Sequence, residues 1–322
     1  MTISNYPEGF VNGVTIKGVP IQQLFPGKVS WVNNSSVPFA GAVGGSDVGP
    51  GTYKQPYSTI NGAIGKTVAS RGDIIMVGPG HTETVSASAT ISFSKAGVAV
   101  IGMGSGTLRP TITFDTIIDS TINVDAANCA MKNMILTANF ADITTAMNVG
   151  AVDFTAEDIY FKATATNMNF LTIATTDTTA NEADGLTLLN CVWIEPDTAT
   201  TTMVRVVKDI DRLHVIGNYI NIGVNTGDLA ALVVCTGSVD ATNILVKGNY
   251  VQRRNDDLTQ GIIMHAGTGT ANTGMVEDNR VLCADDGPLL ITADMRIGMF
   301  NNTVVSTGIT DKSGYVLPAI DA

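Results

Sequence analysis

One short pattern returns through the second half of the chain: alternating apolar residues, then an Asn after a turn-prone residue, then more alternation. The Asn residues in this pattern are Asn133, Asn190, Asn218, Asn249, Asn279 and Asn302. The last five are separated by 28, 31, 30 and 23 residues, and Asp158 divides the wider gap before Asn190 into 25 and 32. A repeat of this length with strand-type alternation predicts a solenoid in which each repeat is one coil of a parallel β-helix.

The six Asn residues are predicted to form a structural ladder. Each coil of a β-helix lays its strands over those of the coil before, so residues at one position of the repeat form a column. Stacked side-chain amides hydrogen-bond along such a column, and an Asn at a tight bend also satisfies backbone groups. The alternative is that these are unrelated Asn residues at strand ends in a β-sandwich. Sandwich strands repeat at roughly 8 to 12 residues, which favours the solenoid.

Composition agrees with an all-β solenoid and excludes several partners. The 322 residues are 44% hydrophobic and 15% charged and include 33 Gly, which suits a long, narrow core with many turns. The formal net charge of −11 argues against nucleic acid as a partner. No run of about 18 apolar residues predicts a membrane span, and the first residues lack the pattern of a secretory signal. We therefore expect synthesis in a cytoplasm, no membrane partner and no cofactor.

The repeat divides the chain into four predicted segments. Residues 1–36 form an arm, 37–52 a hinge loop, 53–310 the β-helix and 311–322 a C-terminal cap. A short helix over residues 58–69, with Val68 on its apolar face, is predicted to close the first coil, because an open coil exposes its core. The arm is apolar but broken by Pro and Gly, so it needs a surface, either this β-helix or another protein. Its candidate contact residues are Phe10, Val14, Ile16, Val19, Pro20, Phe25 and Trp31.

Acidic residues provide the best candidate for a catalytic or metal site. The positions seven residues after four of the ladder Asn are Asp197, Asn225, Asp256 and Asp286, with Asp257 and Asp285 beside two of them. Coils about 4.8 Å apart would align these side chains in a column. Such a column could act as a carboxylate pair on a glycan or bind a divalent cation. The alternative is that Asp and Asn are simply preferred in turns, and we assign no metal site.

Other motifs are weaker. His81, His214 and His265 lack zinc-site spacing, and the four Cys are expected to be buried thiols. The segment 102–106 has the glycines of a phosphate loop but no following Lys-Ser or Lys-Thr, so that interpretation is rejected. Trp193 follows Asn190 in the repeat. It is the one aromatic residue of this region that we expect to face outward as a sugar contact.

Two segments resemble a known superfamily. The sequence Gly-Thr…Pro-Tyr-Ser-Thr-Ile…Ala-Ile over residues 51–64, with the Val-Gly-Pro-Gly turn at 77–80, resembles the pectate-lyase-like right-handed parallel β-helix superfamily. Together with residues 12–20 and 26–36, it is similar to β-helical virion proteins of tailed phages, which serve as head decorations, head fibres or tailspikes. The resemblance implies a structural protein on the virion surface, attached to capsid or tail proteins by its arm. The alternative is a tailspike-type protein that binds or depolymerises host glycans as a glycosidase or lyase.

We expect a homotrimer, because long β-helices without disulfides gain stability by packing side by side, and closed cyclic symmetry is the usual arrangement. Light scattering at micromolar concentration should give three times the monomer mass of 33.6 kDa. A measured mass equal to that of the monomer would contradict this expectation.

Overall fold

The computed structural model describes residues 14–16, 19–21, 27–34, 41–177, 179–195, 200–222, 228–253, 263–265, 271–283, 291–292, 296–306 and 315–316. Three long sheets wind together as a right-handed parallel β-helix, which confirms the predicted fold class. Each coil adds a strand to sheet 1, then to sheet 2, then to sheet 3, and equivalent strands of successive coils pair in parallel. Within these ranges no helix is long and apolar enough to cross a membrane.

Sheets 1 and 2 have ten strands each and sheet 3 has eight. Sheet 1 comprises Val29–Val32, Ile74–Val77, Ala99–Gly102, Ala130–Lys132, Thr155–Glu157, Thr187–Leu189, His214–Ile216, Ile244–Lys247, Thr273–Glu277 and Arg296–Phe300. Sheet 2 comprises Thr82–Val85, Thr111–Phe114, Ile135–Ala138, Tyr160–Ala163, Val192–Glu195, Tyr219–Ile222, Tyr250–Arg253, Arg280–Cys283, Thr303–Ser306 and the antiparallel Tyr315–Val316. Sheet 3 comprises Ser88–Phe93, Thr121–Val124, Met147–Val149, Thr172–Thr176, Thr200–Val206, Asp228–Cys235, Met264–His265 and Ile291–Thr292.

Four shorter strands lie outside the three sheets. Val14–Ile16 and Val19–Ile21 form an antiparallel hairpin, and Ile210–Asp211 pairs in parallel with Ala241–Thr242. The described residues form one α-helix, Ile60–Gly65, and one 3₁₀ turn, Gly106–Leu108.

The core consists of columns of inward-facing side chains, one residue per coil. Because strands pair in register and side chains alternate between faces, a buried residue lies over its equivalent in the next coil. On sheet 2 the column is Ile112, Leu136, Phe161, Trp193, Ile220, Val251 and Val281, and all are buried. The structure thus places Trp193 in the core. The prediction that Trp193 faces outward was wrong. Its Nε1 has no hydrogen-bond partner among the described residues.

The turn from sheet 1 to sheet 2 has the same two-residue form in seven coils. Its first residue has φ between 49° and 66°, the left-handed region that Gly, Asn and Asp tolerate best. These first residues are Asn133, Asp158, Asn190, Gly217, Gly248, Asp278 and Asn301. The second residue points into the core and is Met134, Ile159, Cys191, Asn218, Asn249, Asn279 or Asn302.

Four of the predicted ladder residues, Asn218, Asn249, Asn279 and Asn302, form one buried column. The Nδ2 of each of the first three donates 2.9 Å to the Oδ1 of the next. For Asn249, the second Nδ2 bond goes to the Val215 carbonyl at 2.8 Å, and its Oδ1 also accepts from the Asn218 backbone N–H at 2.9 Å. Each amide is satisfied along the axis, as a buried polar group requires.

Cys191 holds the ladder position in the coil before Asn218. Its backbone N–H donates 2.8 Å to the Asn218 Oδ1, so the thiol lies at the upper end of the amide column. Burial raises the pKa of this thiol to about 12, which keeps it protonated and unreactive. Cys129 and Cys235 are also buried and free.

Asn133 and Asn190 do not belong to this column, which corrects the predicted register. They occupy the left-handed position one residue earlier, with Asp158 between them, and Asn190 is exposed. Asn suits both positions, because its short amide tolerates the left-handed region and also satisfies a buried bend. Sequence alignment on Asn alone therefore merges two adjacent columns.

The capping helix is shorter than predicted. It runs over Ile60–Gly65, with Thr59 as N-cap accepting from the Gly62 N–H at 2.9 Å, and buries Ile60, Ala63 and Ile64. The predicted span of 58–69 placed Val68 on the buried face, but Val68 lies past the helix end and is half exposed. Lys66 already closes the helix as its C-cap.

Residues 27–34 and 41–57 belong to the β-helix rather than to a free arm and hinge. Val29–Val32 is the first strand of sheet 1 and pairs in parallel with Ile74–Val77. Trp31, predicted as a docking residue, lies in this strand and contacts Tyr53 edge-to-face at 5.2 Å. Within the predicted hinge, Asp47 accepts from the backbone N–H groups of Ser58 and Thr59 at 2.8 and 2.9 Å.

Hydrogen bonds to the buried carboxylate of Asp73 hold the start of this first strand in place. Asp73 accepts from the Lys28 and Val68 backbone N–H groups at 2.7 and 2.9 Å and from both prongs of the Arg71 guanidinium. Burial opposes ionisation, but the Arg71 bonds and the two backbone donors lower the pKa of Asp73 below its usual value.

His81 is fully buried under the same end of the solenoid. Its Nδ1 accepts from the Asn34 N–H at 3.1 Å, so its Nε2 carries the proton and donates 3.2 Å to Glu83. Glu83 in turn accepts from the Ile60 N–H at 2.9 Å, at the first turn of the capping helix. The imidazole thus has a structural role between the first strand and the cap.

Asn249→Ala should lower the free energy of unfolding by about 1 to 3 kcal/mol, because it leaves its neighbours' buried polar groups unpaired. Asn221→Ala is the matched control, since Asn221 lies on the outward face of sheet 2, two residues after Tyr219. Urea unfolding followed by circular dichroism measures both. Equal losses in the two variants would contradict a stabilising role for the amide column.

Candidate functional site

Two described connections between sheets 1 and 2 are longer than the two-residue turns: residues 78–81, and residues 103–110, which form the longer of the two. After Ala99–Gly102 the chain takes eight residues, 103–110, to reach the sheet 2 strand Thr111–Phe114. The connection carries the 3₁₀ turn and is tied back by the Gly80 N–H, which donates 2.9 Å to the Leu108 carbonyl. It therefore stands over the start of sheet 2 as a wall.

Asn133, which the ladder prediction had placed in the core, holds this wall. Its Nδ2 donates to the carbonyls of Gly102 at 2.8 Å and Gly104 at 3.0 Å. The left-handed bend at Asn133 turns its side chain toward the preceding coil. The amide thus braces the 103–110 connection.

A groove lies between this connection and the outward face of sheet 2. Its volume is about 380 Å³, within the range of ligand pockets. It is lined by Gly106, Thr107, Arg109, Ile135, Tyr160, Lys162 and Val192. Ile135, Tyr160 and Val192 are register neighbours on three successive coils and form an apolar floor.

Two cations line the groove. Arg109 spans an intervening coil, and its Nη1 donates 3.2 Å to the Asp158 backbone carbonyl. The Nε of Arg109 is buried and has no hydrogen-bond partner within the described chain. Lys162 follows Tyr160 by two residues on the same face. Neither cation forms an ion pair with a described residue.

Aromatic side chains continue the floor along sheet 2. Tyr219 is the register neighbour of Val192, and Tyr250 follows Tyr219. The Tyr219 and Tyr250 rings stack with centroids 5.3 Å apart and planes 2° apart. The outward face of sheet 2 thus presents a strip of flat apolar surface that begins in the groove.

All residues of the predicted acidic column lie outside the described ranges: Asp197, Asn225, Asp256, Asp257, Asp285 and Asp286. Phe10 and Phe25 also lie outside them. Val14, Ile16, Val19 and Pro20 are in the N-terminal hairpin. Within the described ranges, no three His, Cys, Asp or Glu side chains come together as metal ligands.

The sequence analysis missed Arg109, Tyr160 and Lys162. The available signal was spacing: eight residues separate the sheet 1 strand from the sheet 2 strand in this coil, whereas two residues separate them in seven later coils. The Gly-rich segment 102–106, which lacks the Lys-Ser or Lys-Thr of a phosphate loop, runs from the strand end into this connection.

Comparisons with known proteins give one structural likeness. No protein-family model matches the sequence, and a search of curated proteins finds no match. A solved structure named "Rhamnogalacturonan lyase" matches with a TM-score of 0.43 and 13% sequence identity. The match covers 86% of this chain and 87% of that chain.

Proposed function

We propose that this chain is a structural protein on the surface of a phage virion, a head decoration or fibre attached through its N-terminal arm. The observation that carries the proposal is the hairpin of Val14–Ile16 and Val19–Ile21. It forms a two-stranded sheet of its own, separate from the three sheets of the β-helix. The capsid or tail protein that receives the arm and the homotrimeric state belong to the same proposal.

The fold supports separate roles for residues 1–26 and for the β-helix that follows them. The described part of the β-helix begins with the strand Val29–Val32, and the helix Ile60–Gly65 covers its first coil, so we expect the β-helix to fold without the preceding residues. A short hairpin is marginally stable alone, and its strand edges can pair with a partner's sheet. The arm is therefore residues 1–26, ten residues shorter than the sequence predicted.

The body suits outward projection. A single solenoid core runs along the molecule, and repeated coil contacts make such a structure stiff. The net charge of −11 favours solubility and disfavours nonspecific self-association.

Deleting residues 1–26 should leave a folded protein that no longer joins particles, because the described β-helix begins at Val29–Val32. Deleting residues 1–36 is the matched comparison, since it also removes Val29–Val32 and should lower the melting temperature. Thermal unfolding and immunoblots of purified particles, complemented with each form, measure the two effects. Finding the 1–26 deletion on particles at the full-length level would refute docking through the arm.

A second candidate function is binding or depolymerisation of a host glycan by a tailspike-type protein. The groove beside the 103–110 connection favours this candidate, because it combines an aromatic and aliphatic floor with polar groups. Such a floor suits the apolar face of a sugar ring, and the polar groups suit its substituents.

An activity assay separates cleavage from binding. Purified protein incubated with host capsule or lipopolysaccharide should release reducing ends or unsaturated sugars if it is a depolymerase. Because glycan cleavage needs a carboxylate pair or a base, that release should disappear in Asp256→Asn or Asp286→Asn. Activity that persists in both variants would exclude the predicted acidic column as the catalytic site.

A further inference from the structure

We infer that the groove beside the 103–110 connection binds a sugar that carries a carboxylate, with Arg109 and Lys162 holding the carboxylate and Tyr160 lying against the ring. The inference rests on the second candidate function, binding of a glycan, and assigns the ligand's chemical class.

The first argument is charge. The chain carries 29 acidic and 18 basic side chains. On sheet 1, Lys132 forms an ion pair with Glu157, and Lys247 forms an ion pair with Glu277 at 2.7 Å. Arg109 and Lys162 instead line one groove with no described acidic partner. Two uncompensated cations in an acidic protein attract an anion to this place.

The second argument is the unsatisfied donor of Arg109. Only Nη1 has a partner, the Asp158 carbonyl, and the buried Nε has none among the described residues. A buried donor without a partner costs free energy, so a ligand acceptor that reaches it gains more than one in open water. A guanidinium presents its donors as a planar fork that matches a carboxylate.

The third argument is the floor. Tyr160 and Val192 are partly exposed register neighbours and form an apolar surface on two successive coils, beside the buried Ile135 of the coil before. Lys162 lies roughly 7 Å along the strand from Tyr160 by the rise of a β-strand, so a ring on the tyrosine leaves its substituents within reach of the ammonium group. A free inorganic anion would leave this apolar floor uncovered, whereas a sugar ring covers it.

The test is binding of paired oligosaccharides by calorimetry. The probes are oligosaccharides of hyaluronan, alginate and chondroitin, each compared with the same oligosaccharide after reduction of its carboxylates to alcohols. At least one acidic member should bind about tenfold more tightly than its reduced partner, as expected for charge-assisted hydrogen bonds. Its affinity should fall as salt is raised, and inorganic phosphate at the same ionic strength should not displace it.

Variants locate the site. Arg109→Gln and Lys162→Gln should each weaken binding of the acidic member about tenfold and leave the reduced member unchanged. Lys162→Arg should restore most of the affinity. Arg205→Gln, which removes one exposed positive charge from sheet 3, is the matched control and should have no effect. Thermal unfolding checks that each variant is folded. If Arg109→Gln destabilises the 103–110 connection, the comparison of Lys162→Gln with Lys162→Arg still decides the outcome.

The outcomes separate the two claims. Equal binding of acidic and reduced oligosaccharides would overturn the carboxylate inference and leave glycan binding in place. Acidic binding that both Gln variants retain would place the site elsewhere and overturn the inference. Absence of binding to every probe would overturn the inference. The second candidate function falls as well only if host capsule and lipopolysaccharide also fail to bind, and neither result touches attachment through the arm.

Discussion

Parallel, in-register pairing between successive coils is the constraint on which the rest of this molecule depends. It makes each inward residue the neighbour of its equivalent above and below, so the core is a set of columns. An apolar residue in a column packs against the apolar residues at the same position in the neighbouring coils. A polar residue there needs a polar neighbour, and the run from Asn218 to Asn302 meets this need with four consecutive amides.

The same constraint explains why the turn between sheets 1 and 2 is so regular. A left-handed residue reverses the chain, and the next residue then points inward. Where the inward residue is Met134, Ile159 or Cys191, the column is apolar. From Asn218 onward it is amide, and Cys191 joins the two parts through its backbone N–H. Regular turns keep the coils in register, so an irregular one is conspicuous.

The irregular connection at 103–110 is where the fold can support recognition. Repeated coils present rows of equivalent side chains, which make flat faces rather than grooves. The eight-residue excursion, braced by Asn133, adds a wall to one such face and carries Arg109 over two coils to the Asp158 carbonyl. Tyr160 and Lys162 are ordinary outward residues of a sheet 2 strand and become part of a groove only because that wall stands beside them.

The repeat of alternation and Asn determined the all-β solenoid, the presence of a capping helix and the approximate position of each coil, because these follow from local periodicity. Periodicity could not distinguish the left-handed residue from the inward one, since Asn suits both, and so Asn133 and Asn190 were assigned to the wrong column. Only the tertiary structure decided that Trp193 faces the core, that Trp31 lies in the first strand of the body, and that Arg109, Tyr160 and Lys162 share a groove. The physical reason is that these facts depend on how one coil lies over another, and residues about 30 apart in sequence become neighbours only through the pairing of the coils.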